Sequence, residues 1–239
     1  MTVYVITGAR AGIGLEYVRQ LATSPSNTVF AVIRSLTADI TTLTALQQDG
    51  PGKVHIIECD VSSETSISTL TSKLSSTLGT DTKIDVLINN AAILHSRQET
   101  SLTLSSDALL SHITTNVIGP AKVLQAVLPL LADGAVVANI TSGIGSLAML
   151  TDGRINAEIT PYSISKTALN MLTVHQARHL RGRAVVVCVD PGHVKTEMGG
   201  PEAVVEVGDS ARGVLGTLAS LTMADTGKFL LYNGTGLPW

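Results

Sequence analysis

The chain has 239 residues, of which 44% are apolar and 15% are charged, and its net charge at pH 7 is −3. This length and composition suit a single α/β domain spanning residues 1–239 with a substantial buried core. The low charge, the absence of a long basic run and an aromatic content of only 3% argue against nucleic-acid binding. No apolar segment is long enough for a signal peptide or a membrane span, so we expect a cytoplasmic protein without membrane contact.

Short β-branched runs alternate with helical segments along the whole sequence. The predicted strands cover residues 3–7, 28–33, 53–58, 84–89, 135–140, 184–189 and 229–232. The predicted helices cover residues 12–23, 37–48, 62–79, 104–131, 161–181 and 208–223. Most of the strand runs are continuously apolar, which is typical of parallel strands covered by helices on both faces. The alternation therefore predicts right-handed crossovers and a doubly wound α/β sheet.

A glycine-rich segment, TGARAGIG, follows the first predicted strand and opens the first predicted helix. Gly8, Gly12 and Gly14 form a GxxxGxG pattern, whose spacing differs from the GxGxxG dinucleotide fingerprint. Glycines at these places still permit a tight turn and a close approach of the backbone to a pyrophosphate at a helix N-terminus. A plain strand-to-helix connection would need only one glycine, so the pattern predicts a dinucleotide site.

The end of the second predicted strand indicates which nucleotide binds. A carboxylate there would bind the ribose 2′-hydroxyl of NAD, whereas an arginine suits the 2′-phosphate of NADP. In this sequence the strand ends in Arg34, followed by Ser35, and Arg10 lies within the glycine turn. The sequence therefore predicts NADP(H) as the cofactor.

Tyr162 and Lys166 are four residues apart in the predicted helix over 161–181. This spacing places the phenol and the ammonium on one helix face. A neighbouring cation favours the phenolate and lowers the pKa of Tyr162, which would suit it to general acid–base catalysis. The alternative is that Tyr162 is a half-buried core residue and Lys166 a surface residue with an extended stem.

Six ordered motifs place these residues in a wider pattern. They are TGARAGIG, CDV at 59–61, NNAA at 89–92, TTNVIGP together with NITSGIGS, YxxxK at 162–166, and DPGHVKTEM. With these motifs the chain resembles the short-chain dehydrogenase/reductase family over nearly its whole length. The tail GKFLLYNGTGLPW and the segment MGGP are similar to carbonyl reductases of the sniffer and C-signal type. The resemblance implies a single-domain Rossmann fold with a seven-stranded parallel sheet in the order 3-2-1-4-5-6-7.

The resemblance also implies the residues of the site. The catalytic set would be Ser142, Tyr162, Lys166 and Asn116, with Asn116 holding a water that links Lys166 to solvent. The cofactor-binding set would be Gly8, Arg10, Gly12, Ile13, Gly14, Arg34, Ser35, Asp60, Val61, Asn90, Ala91, Ala92, Tyr162, Lys166, Pro191, Gly192, Val194 and Thr196. No metal site is predicted, because no CxxC pair or zinc-spaced cluster occurs, and Cys59 and Cys188 are expected to be buried thiols.

Two departures from the family pattern occur: Ala92 stands where the family motif has glycine, and twenty residues separate Ser142 from Tyr162, several more than usual. The longer loop over 147–160 affects the predicted shape of the pocket. We expect His193 to have a capping or surface role. We expect His112, His175 and His179 to lie on helix surfaces. For His95, next to NNAA, no role is predicted.

The predicted function is that of an NADPH-dependent carbonyl reductase acting on a small carbonyl or alcohol substrate, reversible as a secondary-alcohol dehydrogenase. Two alternatives stay open: a ketoreductase, imine reductase or epimerase of a biosynthetic pathway, and a non-catalytic NADP-binding signalling protein. Family members often pair through the helices corresponding to 104–131 and 161–181, which implies a homodimer or homotetramer.

Overall fold

The computed structural model describes residues 1–79, 82–155 and 159–239. Its seven strands form one sheet in the order β3-β2-β1-β4-β5-β6-β7, and every pairing between neighbours is parallel. The strands are β1 (Thr2–Thr7), β2 (Asn27–Ile33), β3 (Lys53–Glu58), β4 (Ile84–Asn89), β5 (Leu131–Ile140), β6 (Ala184–Asp190) and β7 (Phe229–Leu231). The predicted doubly wound Rossmann topology is confirmed.

Helices cover both faces of the sheet. They are α1 (Gly12–Leu21), α2 (Thr41–Asp49), α3 (Glu64–Ser68), α4 (Leu70–Leu78), α5 (Ser106–Ile113), α6 (Gly119–Val127), α7 (Leu147–Thr151), α8 (Thr160–His179) and α9 (Val207–Ser220). One hydrophobic core lies between the sheet and helices α1 and α9. The other lies on the opposite face of the sheet, beneath α4, α6 and α8. All residues of β6 are buried, which is why this strand reads as a continuous apolar run.

The helix predicted over 62–79 is divided at Thr69 into α3 and α4. The Thr69 hydroxyl donates to the carbonyl oxygen of Ser66 at 2.8 Å, and Ser68 donates to that of Thr65 at 2.7 Å. Serine and threonine side chains compete in this way for backbone groups that would otherwise continue the helix. At the start of the segment Ser63 caps α3, because its hydroxyl oxygen accepts a hydrogen bond from the backbone N–H of Ser66.

The helix predicted over 104–131 is shorter and less regular than expected. It comprises α5, a π-helical turn over Thr114–Ile118, and α6, and it ends in a 3₁₀ turn over Leu128–Leu130. Pro129 lies in that last turn, and a proline cannot extend the α-helical hydrogen-bond ladder. Strand β5 consequently begins at Leu131, where the sequence pattern placed the end of a helix.

Three further observations concern expectations from the sequence. Cys59 and Cys188 are free and buried, as predicted. Helix α7 lies within the loop predicted over 147–160, of which residues 156–158 lie outside the described residues. Within the described ranges, no helix combines the length and the apolar character needed to cross a bilayer.

Candidate active site

The glycine turn after β1 is packed too closely for side chains at two of its positions. Gly8 has a φ of +68°, a left-handed conformation that favours glycine. A Cβ atom at Gly8 would lie 2.8 Å from the Cα of Ala91, and one at Gly14 would lie 2.4 Å from the carbonyl oxygen of Gly8. The glycines therefore let the turn and the start of α1 approach each other and the end of β4.

The NNAA segment fastens this turn to the sheet. The Thr7 hydroxyl oxygen accepts hydrogen bonds from the backbone N–H groups of Asn90 and Ala91, both at 3.0 Å. In return, the Asn90 side-chain amide donates to the carbonyl oxygen of Thr7 at 3.0 Å. The carboxyl ends of β1 and β4 are thus joined at the point where an open α/β sheet usually binds its ligand.

A cleft of about 370 Å³ opens at this edge of the sheet. Its lining contains twelve of the predicted cofactor residues: Gly8, Arg10, Gly12, Ile13, Gly14, Arg34, Asp60, Val61, Asn90, Ala91, Ala92 and Thr196. It also contains residues that were not predicted: Ala11, Ile33, Cys59, Ser62, Ile93, Thr115, Glu197 and Met198. Each of these lies within two residues of a predicted site residue, so extending each motif by two residues on both sides would have included them.

The remaining predicted cofactor residues do not line this cleft; they are Ser35, Tyr162, Lys166, Pro191, Gly192 and Val194. Ser35 is half-buried, and its hydroxyl forms a hydrogen bond with that of Thr37 at 2.9 Å. Gly192 has a φ of +82° and lies two residues after the end of β6. Motif matching could not distinguish residues that face the cleft from those that support it.

Arg10 and Arg34 both line the cleft and are exposed. The ion pairs found within the described residues include neither of them. Asp39 lies close enough to Arg10 to be affected by it: hydrogen bonds from Thr41 lower the pKa of Asp39 most, and the Arg10 guanidinium adds to that lowering. The lining of the cleft thus includes two exposed guanidinium groups.

Tyr162 and Lys166 lie on one buried face of α8, with exposures of 9% and 2%. The Lys166 ammonium is 5.4 Å from the centre of the Tyr162 ring, and it donates to the carbonyl oxygen of Ile140 at 2.9 Å. The predicted juxtaposition is confirmed, and the alternative of a surface lysine is wrong. A lysine buried to this degree is uncommon unless it is paired or has a function.

The acid–base properties of the pair differ from the expectation. Burial raises the pKa of Tyr162, the charge of Asp190 raises it further, and only Arg97 lowers it. Burial also lowers the pKa of Lys166 to about 8. The predicted lowering of the Tyr162 pKa by Lys166 is not seen: Lys166 is not among the groups that shift this pKa, and burial, which disfavours the charged form, is the largest cause of the shift in both residues.

Ser142 follows the end of β5 and begins a tight turn over Gly143–Gly145. Its hydroxyl accepts a weak hydrogen bond from the N–H of Ile144 at 3.4 Å. A Cβ atom at Gly145 would lie 2.8 Å from the backbone carbonyl carbon of Lys166. The turn carrying Ser142 is therefore seated directly on α8 beside the lysine, and only a small residue fits at the contact.

Asn116 is fully buried in the π-helical turn between α5 and α6. Its side-chain oxygen accepts from the N–H of Ile93 at 2.9 Å, and its amide donates to the hydroxyl of Ser165 at 3.0 Å. Ser165 in turn donates to the carbonyl oxygen of Tyr162 at 2.7 Å. Asn116 thus connects the cleft wall at Ile93 with the first turn of α8, and π-helical turns of this kind are frequent at functional sites.

His112 is not on a helix surface, as the sequence suggested, but fully buried beside the site. Its ring meets the Tyr162 ring edge-on with 6.3 Å between centres, and the ring of His95 lies 4.3 Å away on another side. His112 donates through Nδ1 to the carbonyl oxygen of Ala108 at 2.7 Å. Its position four residues before Asn116 is the signal that could have located it.

The other histidines match their predictions. His175 and His179 are exposed on α8, and the exposed His193 forms a hydrogen bond with the carbonyl oxygen of Gly199 at 2.8 Å. Within the described ranges no group of three or more potential metal-ligating side chains occurs.

Known proteins are similar to this chain in sequence and in fold. A family model described as short chain dehydrogenase matches residues 2–204. C-signal of Myxococcus xanthus is 40% identical over 159 residues, which cover 65% of this chain and 93% of that protein. The NADPH-bound carbonyl reductase from chicken fatty liver has a TM-score of 0.91 at 31% identity, with 100% of both chains covered. Carbonyl reductase Sniffer of D. melanogaster has a TM-score of 0.89 at 28% identity, covering 100% of this chain and 99% of that one.

These matches confirm the resemblance to the sniffer and C-signal type of protein. The family model spans most of the sequence, from β1 past the segment that contains Thr196. The chain therefore belongs to the short-chain dehydrogenase family.

Proposed function

We propose that this protein is an NADPH-dependent carbonyl reductase that also oxidises secondary alcohols in the reverse direction. The observation that carries the proposal is the buried Tyr162–Lys166 pair beside a cleft whose glycine turn and two free guanidinium groups suit NADP(H). The solved carbonyl reductases with the same fold support it, one of them with NADPH bound.

The residues of the cleft fit the parts of the cofactor. The closely packed turn at Gly8 and Gly14 leaves room for backbone N–H groups at the start of α1 to face a pyrophosphate. Arg10 and Arg34 would hold the 2′-phosphate, and Asp60 with Val61 would contact the adenine. Thr196, which also lines the cleft, would hold the nicotinamide amide.

When bound, the nicotinamide supplies or accepts a hydride at the carbonyl carbon. Tyr162 donates the proton that the carbonyl oxygen needs during reduction, and its raised pKa keeps it in the protonated form that this role requires. Ser142 donates a hydrogen bond to the same oxygen and orients it. Lys166 would bind the ribose hydroxyls of the cofactor, and Asn116 would hold a water that returns a proton to the pair.

The test is to mix the protein with NADPH and each member of a panel of ketones and aldehydes. Oxidation of NADPH is monitored as the loss of absorbance at the band of the reduced nicotinamide. Tyr162→Phe is expected to lower kcat by about 10²–10⁴-fold, the usual contribution of a general acid. Tyr4→Phe is the matched control, because Tyr4 lies in the middle of β1, is not among the residues that line the cleft, and should leave kcat unchanged. Full activity in Tyr162→Phe would refute the assigned role.

A second measurement separates this proposal from other reactions of the same scaffold. With deuterated NADPH, a reductase transfers deuterium to the product and accumulates oxidised cofactor, whereas an epimerase yields no net oxidised cofactor. A signalling protein without catalysis would bind NADPH but turn over no carbonyl compound in the panel.

We further propose that two copies pair through α5, α6 and α8. Four large apolar side chains on these helices and the turn between them are exposed: Leu110, Ile118, Ile164 and Met171. Leu110 and Met171 are the most exposed of them, at 62% and 60%. Light scattering should give the mass of a dimer or tetramer that falls to a monomer in Leu110→Asp, and a monomeric wild type would exclude the pairing.

A further inference from the structure

Asp190 lies next to the proposed site and is buried, with only 8% of the residue exposed. One of its oxygens accepts from the backbone N–H of Gly143 at 2.9 Å, and the other accepts from that of Gly192 at 2.9 Å. Gly143 directly follows Ser142, and Gly192 belongs to the turn after β6. A single carboxylate therefore joins the loop after β5 to the loop after β6.

Both loops are shaped to let this carboxylate in. A Cβ atom at Gly143 would lie 3.0 Å from an Asp190 oxygen, so a larger residue there would press on the carboxylate. Gly192 has a φ of +82°, a left-handed conformation that favours glycine, and its N–H donates to Asp190 within the turn. The arrangement is specific to an acceptor with two oxygens in this position.

The charge of Asp190 is not neutralised by a direct ion pair within the described residues. Burial raises its pKa, and the bonds from Gly192 and Gly143, then the charge of Lys166, act in the opposite direction. Charge–charge interactions are felt strongly in such surroundings because little water screens them. Lys166 is the cation whose charge acts on the pKa of Asp190.

The other titratable groups around the site come from several elements. Tyr162 and Lys166 lie on α8 and Cys188 lies on β6, where burial raises the Cys188 pKa to about 12. Arg97 approaches Tyr162 from the loop after β4, and His112 approaches it from α5. Of these groups, Asp190 raises the pKa of Tyr162 and so opposes its ionisation, whereas Arg97 favours it.

We propose that Asp190 is a positioning residue that fixes the Ser142 loop against the Pro191–Gly192 turn, and that this buried carboxylate is coupled electrostatically to Tyr162 and Lys166. The catalytic use of this effect rests on the proposed carbonyl reductase function. The electrostatic coupling between Asp190 and Lys166 does not, and it can be measured without turnover.

The first experiment follows the lysine Cε signals of the protein by NMR as the pH is raised. The Lys166 signal, identified by its loss in Lys166→Met, should titrate near pH 8 in the wild type. Asp190→Asn keeps the shape and removes the charge, so Lys166 should titrate at a lower pH. Asp49→Asn, the same change on the exposed end of α2, should leave the midpoint unchanged. An unchanged midpoint in Asp190→Asn would overturn the proposal.

Asp190→Asn places an amide group against one of the two glycine N–H groups, so a reciprocal variant guards against a failure to fold. Coupling between two sites is the same in both directions. Lys166→Met should therefore raise the pH at which Asp190 takes up a proton, measured from its carboxyl carbon signal, while both glycine hydrogen bonds remain. No change in that titration would equally overturn the proposal.

The second experiment measures kcat/KM for carbonyl reduction against pH. Removing the negative charge eases the ionisation of Tyr162, so the alkaline limb of the Asp190→Asn profile should move to lower pH, and Asp190→Glu should move it back. A purely structural role would lower kcat and leave the limb in place, which would contradict the proposal. If the wild type turns over no carbonyl but Lys166 shifts in the NMR titration, the proposed function fails and the role of Asp190 stands.

Discussion

Replacing Thr7 by valine tests whether the hydroxyl between β1 and β4 holds the cofactor turn in place. The two side chains have nearly the same shape, so the change removes hydrogen bonding and leaves packing intact. Thr7 is 2% exposed, and its oxygen accepts from two backbone N–H groups at 3.0 Å, those of Asn90 and Ala91. Thr7→Val leaves both without their acceptor.

The magnitude follows from the cost of an unsatisfied buried donor, about 1–3 kcal/mol for each group. Asn90 and Ala91 are only partly buried, so the lower half of that range applies, and the loss of unfolding free energy should be about 2–4 kcal/mol in total. Because the same bonds hold the glycine turn against Ala91, NADPH affinity should also fall by about tenfold, or 1.4 kcal/mol.

Urea unfolding and fluorescence titration with NADPH measure the two effects. Thr28→Val on β2 is the matched control, since Thr28 is also buried, at 7%, and its hydroxyl forms no hydrogen bond within the described residues. Its stability and NADPH affinity should stay close to those of the wild type. If Thr7→Val behaves like Thr28→Val, the hydroxyl does not hold the turn and this account of the site is wrong.

Three further predictions concern the cofactor end, the buried lysine and the Ser142 turn. Arg10→Ala and Arg34→Ala should each weaken NADPH binding by about tenfold or more, because each removes a charge-assisted hydrogen bond to the 2′-phosphate that contributes about 1.5–3 kcal/mol. NADH has no 2′-phosphate, so its binding should stay nearly unchanged. Equal losses of affinity for both nucleotides in a binding titration would exclude 2′-phosphate binding by these residues. Burial lowers the pKa of Lys166 to about 8, below its value in the unfolded chain, so between about pH 8 and pH 10 the unfolded state binds more protons than the folded state. The stability of the wild type relative to Lys166→Met should therefore increase as the pH rises through this window. A difference in urea midpoints between the two proteins that does not change over the window would contradict the burial of the ammonium. Gly145→Ala should lower the free energy of unfolding by about 1–3 kcal/mol and reduce kcat, because the new Cβ would lie 2.8 Å from the backbone of Lys166. Gly216→Ala on α9 is the control: there is open space around Gly216, so this change should be neutral or stabilising. Thermal melts in which Gly216→Ala is the less stable of the two variants would refute the packing account.

The fold and most of the cofactor cleft could be predicted from the sequence, because local patterns encode them directly. Continuous apolar runs specify buried parallel strands, and three glycines after the first of them specify the turn. Motifs that lie at the carboxyl ends of successive strands must meet at one edge of the sheet, which is why distant residues such as Gly8, Asn90 and Thr196 share the cleft. The i, i+4 spacing likewise placed Tyr162 and Lys166 on one face.

Tertiary structure alone decided the environment of each group. The sequence carries no sign that Thr69 ends one helix and starts another, or that a π-helical turn carries Asn116, since both depend on hydrogen bonds made on folding. The sequence also placed His112 on a surface, although α5 turns it toward Tyr162.

The acid–base properties depend on the fold most strongly of all. Adjacency of Tyr162 and Lys166 in the sequence suggested a lowered Tyr162 pKa, but burial and the charge of Asp190 raise it. A pKa depends on how much water remains around a group and on every charge nearby, and neither quantity can be obtained from spacing along one helix. Thus the sequence by itself determined which residues meet at the sheet edge, and the packing of α8 against β5 and β6 determined their protonation.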